Sequence, residues 1–444
     1  MSSTHRPHHI FSYLAYCLLV LLLTACTSNT TLLTKNVTPK PGITLPLNRG
    51  GPPIVATTTS AMPPTQTSCP ATGTARAMKT APLASGQHQN IIYTLNEGTY
   101  DDPSQGKLMR YDVQTGQTIE LLNVTNANIY EAQVSTDGQW VLFVTTTGSE
   151  GRITRLQAIR MDGQGLQTLT CAPGYGIQQM QWSADQQLLA FYNVVNGQGV
   201  VYLLNMTNGK LETLLTTPAG VGLILRTWLD TTHIYLTDTA QDTLFSHIYL
   251  LDIRRGPHQH LSDLLTMLLR QYGDFDSSYD GSHLFISYGG CPQGFCSGPS
   301  SIAAQSITGG RQQVIYTSQK YDVIAVRVID QKSILFIISN TFSSTSLIED
   351  ASHNGLWRIN LDGSGLTRLV PISKQQYTFL NYGTQDLWSN VSRDASMYVL
   401  QVDGFQGVVE TDALLVGTVR GGKPKVFASI SGTPQLAVVG WTTM

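Results

Sequence analysis

The chain has 444 residues, of which 13% are charged and 40 are glycine, and its formal net charge is -2. The charged share is about half that of an average soluble domain, which argues against charged surface helices and suits short strands joined by tight turns. No basic stripe points to a nucleic-acid partner, and the length allows two or three average domains or one large repeat array.

The chain opens with His5, Arg6, His8 and His9, followed by an apolar run from Ile10 to Leu23 and then Leu23-Thr24-Ala25-Cys26. A basic start, an apolar run short of the roughly 20 residues of a membrane span and a small-residue site together read as an export signal. The tetrad resembles the lipobox of bacterial lipoproteins. That resemblance implies cleavage before Cys26 and acylation there, so residues 1–25 are expected to be a signal peptide. The chain is then expected at the cell membrane, anchored through the lipid on Cys26 and facing outside the cytoplasm. Residues 26–88, rich in Thr, Pro and Ser, read as a linker. Beyond Cys17 and Cys26, the even set Cys69, Cys171, Cys291 and Cys296 reads as disulfides in an exported chain. Cys291 and Cys296 lie close enough to close a small loop, which leaves Cys69 with Cys171.

From residue 89 to 444 the text repeats. Two stretches, ITRLQAIRMDGQGLQTL at Ile153 and LWRINLDGSGLTRL at Leu356, read as hairpins, because Asp caps a turn and glycine takes positive φ without steric cost. A second motif ends a strand in an aromatic or apolar residue followed by Ser, Thr or Asp. It occurs near Val134-Ser135, Trp182-Ser183, Trp228-Leu229-Asp230, Phe275-Asp276, Val328-Ile329-Asp330, Val391-Ser392 and Trp441-Thr442. The units recur at roughly 45 to 60 residues, the period of four-stranded propeller blades. These motifs resemble the WD40-like repeat of TolB-type β-propellers. The expected fold is therefore all-β, a propeller of seven four-stranded blades, with six or eight as alternatives. The last starting strand has no successor and the first strand near Asn90 has no predecessor, so the C-terminal strand is expected to close the ring. One segment departs from the pattern. Ser262 to Gln271, with leucines at i, i+1, i+4 and i+5, predicts a short helix.

Catalytic motifs are missing. There is no Gly-x-Ser-x-Gly, no His-Glu-x-x-His, and no helix pattern after Gly294-Phe295-Cys296-Ser297-Gly298 to make a nucleophile elbow. No catalytic residue, metal or cofactor is assigned, and His258 and His260 read as a polar surface pair. The expected function is binding of an envelope protein or glycan-like ligand by a monomer. The alternative is a propeller hydrolase or lyase with residues drawn from the central channel. Tight turns mark one face of the ring, whereas the connections between second and third strands are long. These carry Glu97, Tyr100, Asp101, Asp102, Asp238, Asp242, Phe295, Phe342, Glu349, Asp350 and Phe405, an acidic rim with aromatics suited to a cationic or carbohydrate-like partner.

Overall fold

Among the described residues, the second strands of the blades are apolar runs with neighbours on both faces, and this is what makes a ring of blades. The computed structural model describes residues 68–76, 82–98, 103–147, 153–173, 176–238, 245–270, 274–288, 299–319, 321–339, 352–372, 376–379, 390–404, 411–431 and 435–444. All of them belong to one compact unit, Thr44–Met444. Seven sheets follow one another as seven blades, six of them four-stranded and antiparallel, while blade 3 gains a fifth strand, Gln259–His260, paired in parallel with its outer strand Leu211–Ala219. In chain order the innermost strands are Ala127–Val134 (blade 2), Gln179–Trp182 (blade 3), Leu223–Trp228 (blade 4), Phe275–Ser277 (blade 5), Asp322–Val328 (blade 6) and Gln376–Phe379 (blade 7). Blade 1 is composite. Its innermost strand is the C-terminal Gln435–Thr442, paired with Asn90–Gly98, which then pairs with Pro103–Asp112 and that with Thr118–Thr125. The ring is thus closed by the last strand of the chain, and no blade edge is left open at the seam.

The core is divided among the blade junctions. In Trp140–Thr147, the second strand of blade 2, Trp140, Leu142 and Val144 pack toward blade 3 while Val141 and Phe143 pack toward blade 1. Blade 6 repeats the arrangement, Ile334, Phe336 and Ile338 facing blade 5 and Leu335 and Ile337 facing blade 7. Side chains alternate across a strand, so a blade buried on both faces needs the unbroken apolar runs seen here. Seven apolar clusters result, one for each junction.

In blades 2 to 7 the motif that precedes the second strand is a side-chain-capped turn. Ser135 Oγ donates to Asp137 Oδ1 and accepts from Trp140 N, while Asp137 Oδ1 accepts from Gln139 N. The same triple recurs at Ser183-Asp185, Ser278-Asp280 and Ser392-Asp394. Where the serine is absent, Asp230 and Asp330 take over its role and accept two backbone N–H groups each. The repeat is therefore a requirement for satisfying turn donors.

Two expectations are corrected. The leucines of Ser262 to Gln271 do not form a helix; Leu261–Asp263 is one 3-10 turn, and Leu265–Arg270 is the outer strand of blade 4, paired with Phe245–Asp252. A blade lacking its fourth strand would expose the ladder of its third, and that demand overrides leucine's helical preference. In blade 7 the innermost strand is Gln376–Phe379, with Val391 contributing only an isolated bridge to Tyr398, where the sequence motif placed the strand itself.

Candidate functional site

The innermost strands border the channel with one unpaired edge, so their N–H groups need partners from elsewhere. The preceding blade supplies them. Gln133 Oε1 accepts from Trp182 N at 3.0 Å and Gln179 Oε1 from Leu225 N at 2.7 Å. Further round the ring, Asp274 Oδ2 accepts from Val326 N at 3.1 Å and Asp276 Oδ2 from Val328 N at 2.8 Å. Carboxylates in this role need countercharge. Asp274 receives it from Arg226 of blade 4 and Arg327 of blade 6, all three side chains being buried. Burial pushes the Asp274 carboxyl up, but Arg327 and Arg226, with the Val326 N–H, outweigh this and hold it below the usual carboxylate range. Arg226 also lies 4.6 Å over the Phe275 ring.

Across the ring, Glu131 has no such company. It is the extra residue of a β-bulge, since Tyr130 pairs with Val144 and Ala132 with Phe143. Its φ is +45°, in the left-handed region that a non-glycine residue rarely occupies. Ile129, Ala132 and Val134 pack toward blade 1 and Tyr130 toward blade 3, and Glu131 among them is half-buried. Desolvation lifts its carboxyl to about 8.

The second strand of each blade ends, and the third begins, at the edge opposite the capped turns, as antiparallel pairing requires. Of the rim residues, Tyr100, Asp101, Asp102, Asp242, Phe295, Phe342, Glu349, Asp350 and Phe405 lie outside the described residues, as do Cys26, Cys291 and Cys296. Glu97 and Asp238 lie on strands rather than in loops. Glu97 pairs with Lys107 at 3.3 Å. Asp238 is buried and accepts from Tyr249 OH at 3.1 Å and from His247 N at 2.8 Å, with His247 Nδ1 at 2.7 Å from Oδ2. Burial, with Asp238 alongside, raises the Tyr249 hydroxyl. The imidazole is thereby oriented with Nε2 directed away from the carboxylate, an arrangement fit for proton transfer or hydrogen bonding. Among the described residues no cluster of three or more His, Cys, Asp or Glu could hold a metal.

The capped-turn face is partly occupied by the chain itself. Cys69 and Cys171 are disulfide-bonded, joining the N-terminal segment to the outer strand of blade 2. Gly73 N donates to Gly209 O at 2.9 Å, Arg76 N to Met206 O at 2.8 Å and Arg76 Nε to Leu169 O at 2.6 Å. The segment passes so close to the blade 3 turn that a Cβ on Gly209 would overlap the Thr74 carbonyl. Leu83 N then bonds Gln139 Oε1 at 2.6 Å, and Gly86 N bonds Thr443 O.

Glu131, Arg226, Asp274, Arg327 and His247 were not among the residues picked from sequence. Three of them carry a signal in hindsight: Tyr130-Glu131-Ala132, Leu225-Arg226-Thr227 and Val326-Arg327-Val328 each set a charge inside a strand that begins a blade.

No family model matches the chain, and no curated protein matches it. Solved structures match in fold. The β-propeller domain of the trilobed protease from Pyrococcus furiosus gives a TM-score of 0.51 at 11% identity, over 77% of this chain and 96% of that one. TolB from Acinetobacter baumannii gives 0.40 at 14% identity over 63% of each chain, and a puromycin-hydrolyzing peptidase of Mycobacterium tuberculosis gives 0.45 at 11% identity over 72% of this chain and 50% of that one. The match thus spans less than two thirds of the TolB chain and half of the peptidase. The chain is a seven-bladed propeller distantly similar to TolB-like propellers, and the likeness extends to the fold alone.

Proposed function

We propose that the protein is a lipid-anchored, extracytoplasmic propeller that binds a protein or glycan-like ligand of the cell envelope through the face of the long connections. One observation carries this reading: the N-terminal segment lies across the turns of blades 1 to 3 on the other face, bonded to Gly209, Met206, Gln139 and Thr443. A partner approaching the capped-turn face meets turns of blades 1 to 3 that the chain itself already occupies. The test is charge reversal at Asp101, Asp102, Glu349 and Asp350, with Lys210→Glu on the turn face as control. Binding to an envelope fraction should fall with the first set and not with the second; equal binding by all three proteins rules the long-connection face out. Fatty-acid labelling that survives Cys26→Ala would remove the anchor.

A second reading, a channel or rim enzyme of hydrolase or lyase type, is favoured by the His247 imidazole oriented on buried Asp238. An acid–base group needs this positioning. In a screen of ester, lactone and peptide substrates, His247→Ala would abolish turnover without lowering Tm if the reading holds, and an inactive parent would sink it.

A further inference from the structure

We infer that blade 6 carries a sugar-binding site at the edge opposite its capped turn, built from the ring stack of Tyr321, His353 and Trp357 with the amide of Asn354 beside it. The inference rests on the proposed binding function and deepens it, naming a pyranose ring as the chemistry of the ligand.

Two short pieces of chain make the stack. Tyr321 immediately precedes the innermost strand, Asp322–Val328, and Ser352-His353-Asn354 immediately precedes the third strand, Gly355–Asn360. Both strands start where the second strand, Ser333–Ser339, ends, so the two pieces meet at that edge. The His353 ring lies 4.8 Å from Tyr321 with 27° between the planes, and 6.3 Å from Trp357 with 9° between the planes. Rings in full face contact stand about 3.5–4.0 Å apart. Near-parallel rings at 6.3 Å are therefore displaced or separated, and His353 leaves part of the Trp357 face uncovered. Tyr321 and Trp357 also rest against the apolar cluster between blades 5 and 6. They are only half-buried, however, and His353 is exposed. The other described tryptophans, Trp140, Trp182, Trp228 and Trp441, are all buried.

The turn that presents His353 is held at each carbonyl. Arg368 donates to Ser352 O and Asn354 O, and Trp357 Nε1 donates to His353 O at 2.8 Å. A surface ordered in advance loses little freedom when a ligand settles on it. Asn354 supplies the polar half of the site. It is 2% exposed, and neither the nitrogen nor the oxygen of its amide has a partner among the described residues. A buried amide left this way costs stability, and one donor and one acceptor on a planar group match two neighbouring hydroxyls. Flat ring faces attract either a cation or the C–H hydrogens of a sugar ring. The Arg368 guanidinium already lies 5.9 Å over the Trp357 ring and repels a cation. Hydroxyls for the amide and C–H hydrogens for the rings together describe a pyranose.

The experiment is saturation-transfer NMR and calorimetric titration of the full chain, in a non-glycosidic detergent, with chitohexaose, with maltohexaose and with a protease-treated polysaccharide fraction of the envelope. At least one of these should bind, with saturation strongest at the ring C–H protons. His353→Ala should weaken that binding roughly two- to tenfold, the worth of one aromatic contact, with little change in Tm because the ring is exposed. Asn354→Ala should weaken it by a similar factor without lowering Tm, since no described residue bonds the amide that is removed. Undiminished binding by either variant overturns the assignment, and a fall in Tm for Asn354→Ala would show that the amide serves the fold instead. Binding confined to the untreated envelope fraction and lost on protease treatment also overturns it, while keeping the protein-binding form of the proposed function. Binding to neither fraction nor to either hexaose overturns both. The saturation pattern is read on the parent protein, so saturation absent from the ring C–H protons rejects stacking even if a variant folds poorly.

Discussion

The two sides of the channel solve one problem with different chemistry. Between blades 2 and 4, Gln133 and Gln179 cap the next blade's N–H groups with neutral amides; between blades 4 and 6, Asp274 and Asp276 do it with carboxylates. A buried carboxylate accepts a stronger bond but must be neutralised. Arg226 and Arg327 meet that need on one side, whereas Glu131 on the other has no equivalent. The outcome is two partly or fully buried carboxyls displaced in opposite directions, Asp274 downward and Glu131 upward. Burial alone does not determine the state of such a carboxyl. The positions of the guanidinium groups do.

The contrast can be broken most severely at Asp274. Asp274→Ala leaves two buried guanidinium groups without their shared partner and should cost about 3–5 kcal/mol in denaturant unfolding at pH 7. Because the folded-state pKa of Asp274 is depressed, its contribution is present above pH 3.8 and is lost as pH falls below that. The penalty of the variant should shrink accordingly in acid; a penalty independent of pH would show that packing, not charge, is being lost.

Gln133→Glu sharpens the comparison by placing a carboxylate on the amide side without an arginine. It should lose about 2–3 kcal/mol at pH 8, most of it recovered at pH 4 where the new group is protonated. An equally stable variant would mean that this side tolerates charge after all.

Glu131→Gln has the opposite sign. The folded-state pKa is raised from 4.5 to about 8, so the parent's stability is complete below pH 4.5 and declines as pH rises through 8. The variant should match the parent at pH 4 and exceed it at pH 9, by at most about 5 kcal/mol. Parallel pH profiles for the two proteins would place Glu131 in ordinary solvent.

The smallest effect is expected from Gln133→Ala, about 1–2 kcal/mol for one buried N–H left without its acceptor. Hydrogen exchange at Trp182 should accelerate in step. Unchanged exchange there would show that another group caps this N–H.

What the sequence determined alone was everything written over short distances: the repeat, the count of seven, the closing role of Gln435–Thr442, and the turns, because a Ser-x-Asp cap lies within five residues and its chemistry is local. The pairing of Cys69 with Cys171 also followed from sequence once Cys291 was matched with Cys296, though only the first pair falls among the described residues. Tertiary structure decided the rest. The leucines after Ser262 are a strand because blade 4 needed an outer edge, which no window of ten residues contains. The contacts joining Gln133 to Trp182, or Asp274 to Val326, span 49 and 52 residues, one blade to the next. Whether a charged residue in an apolar strand is a staple, as Arg327 is, or stands without countercharge, as Glu131 does, depends on what the neighbouring blade places opposite it, and that is fixed only when the ring closes.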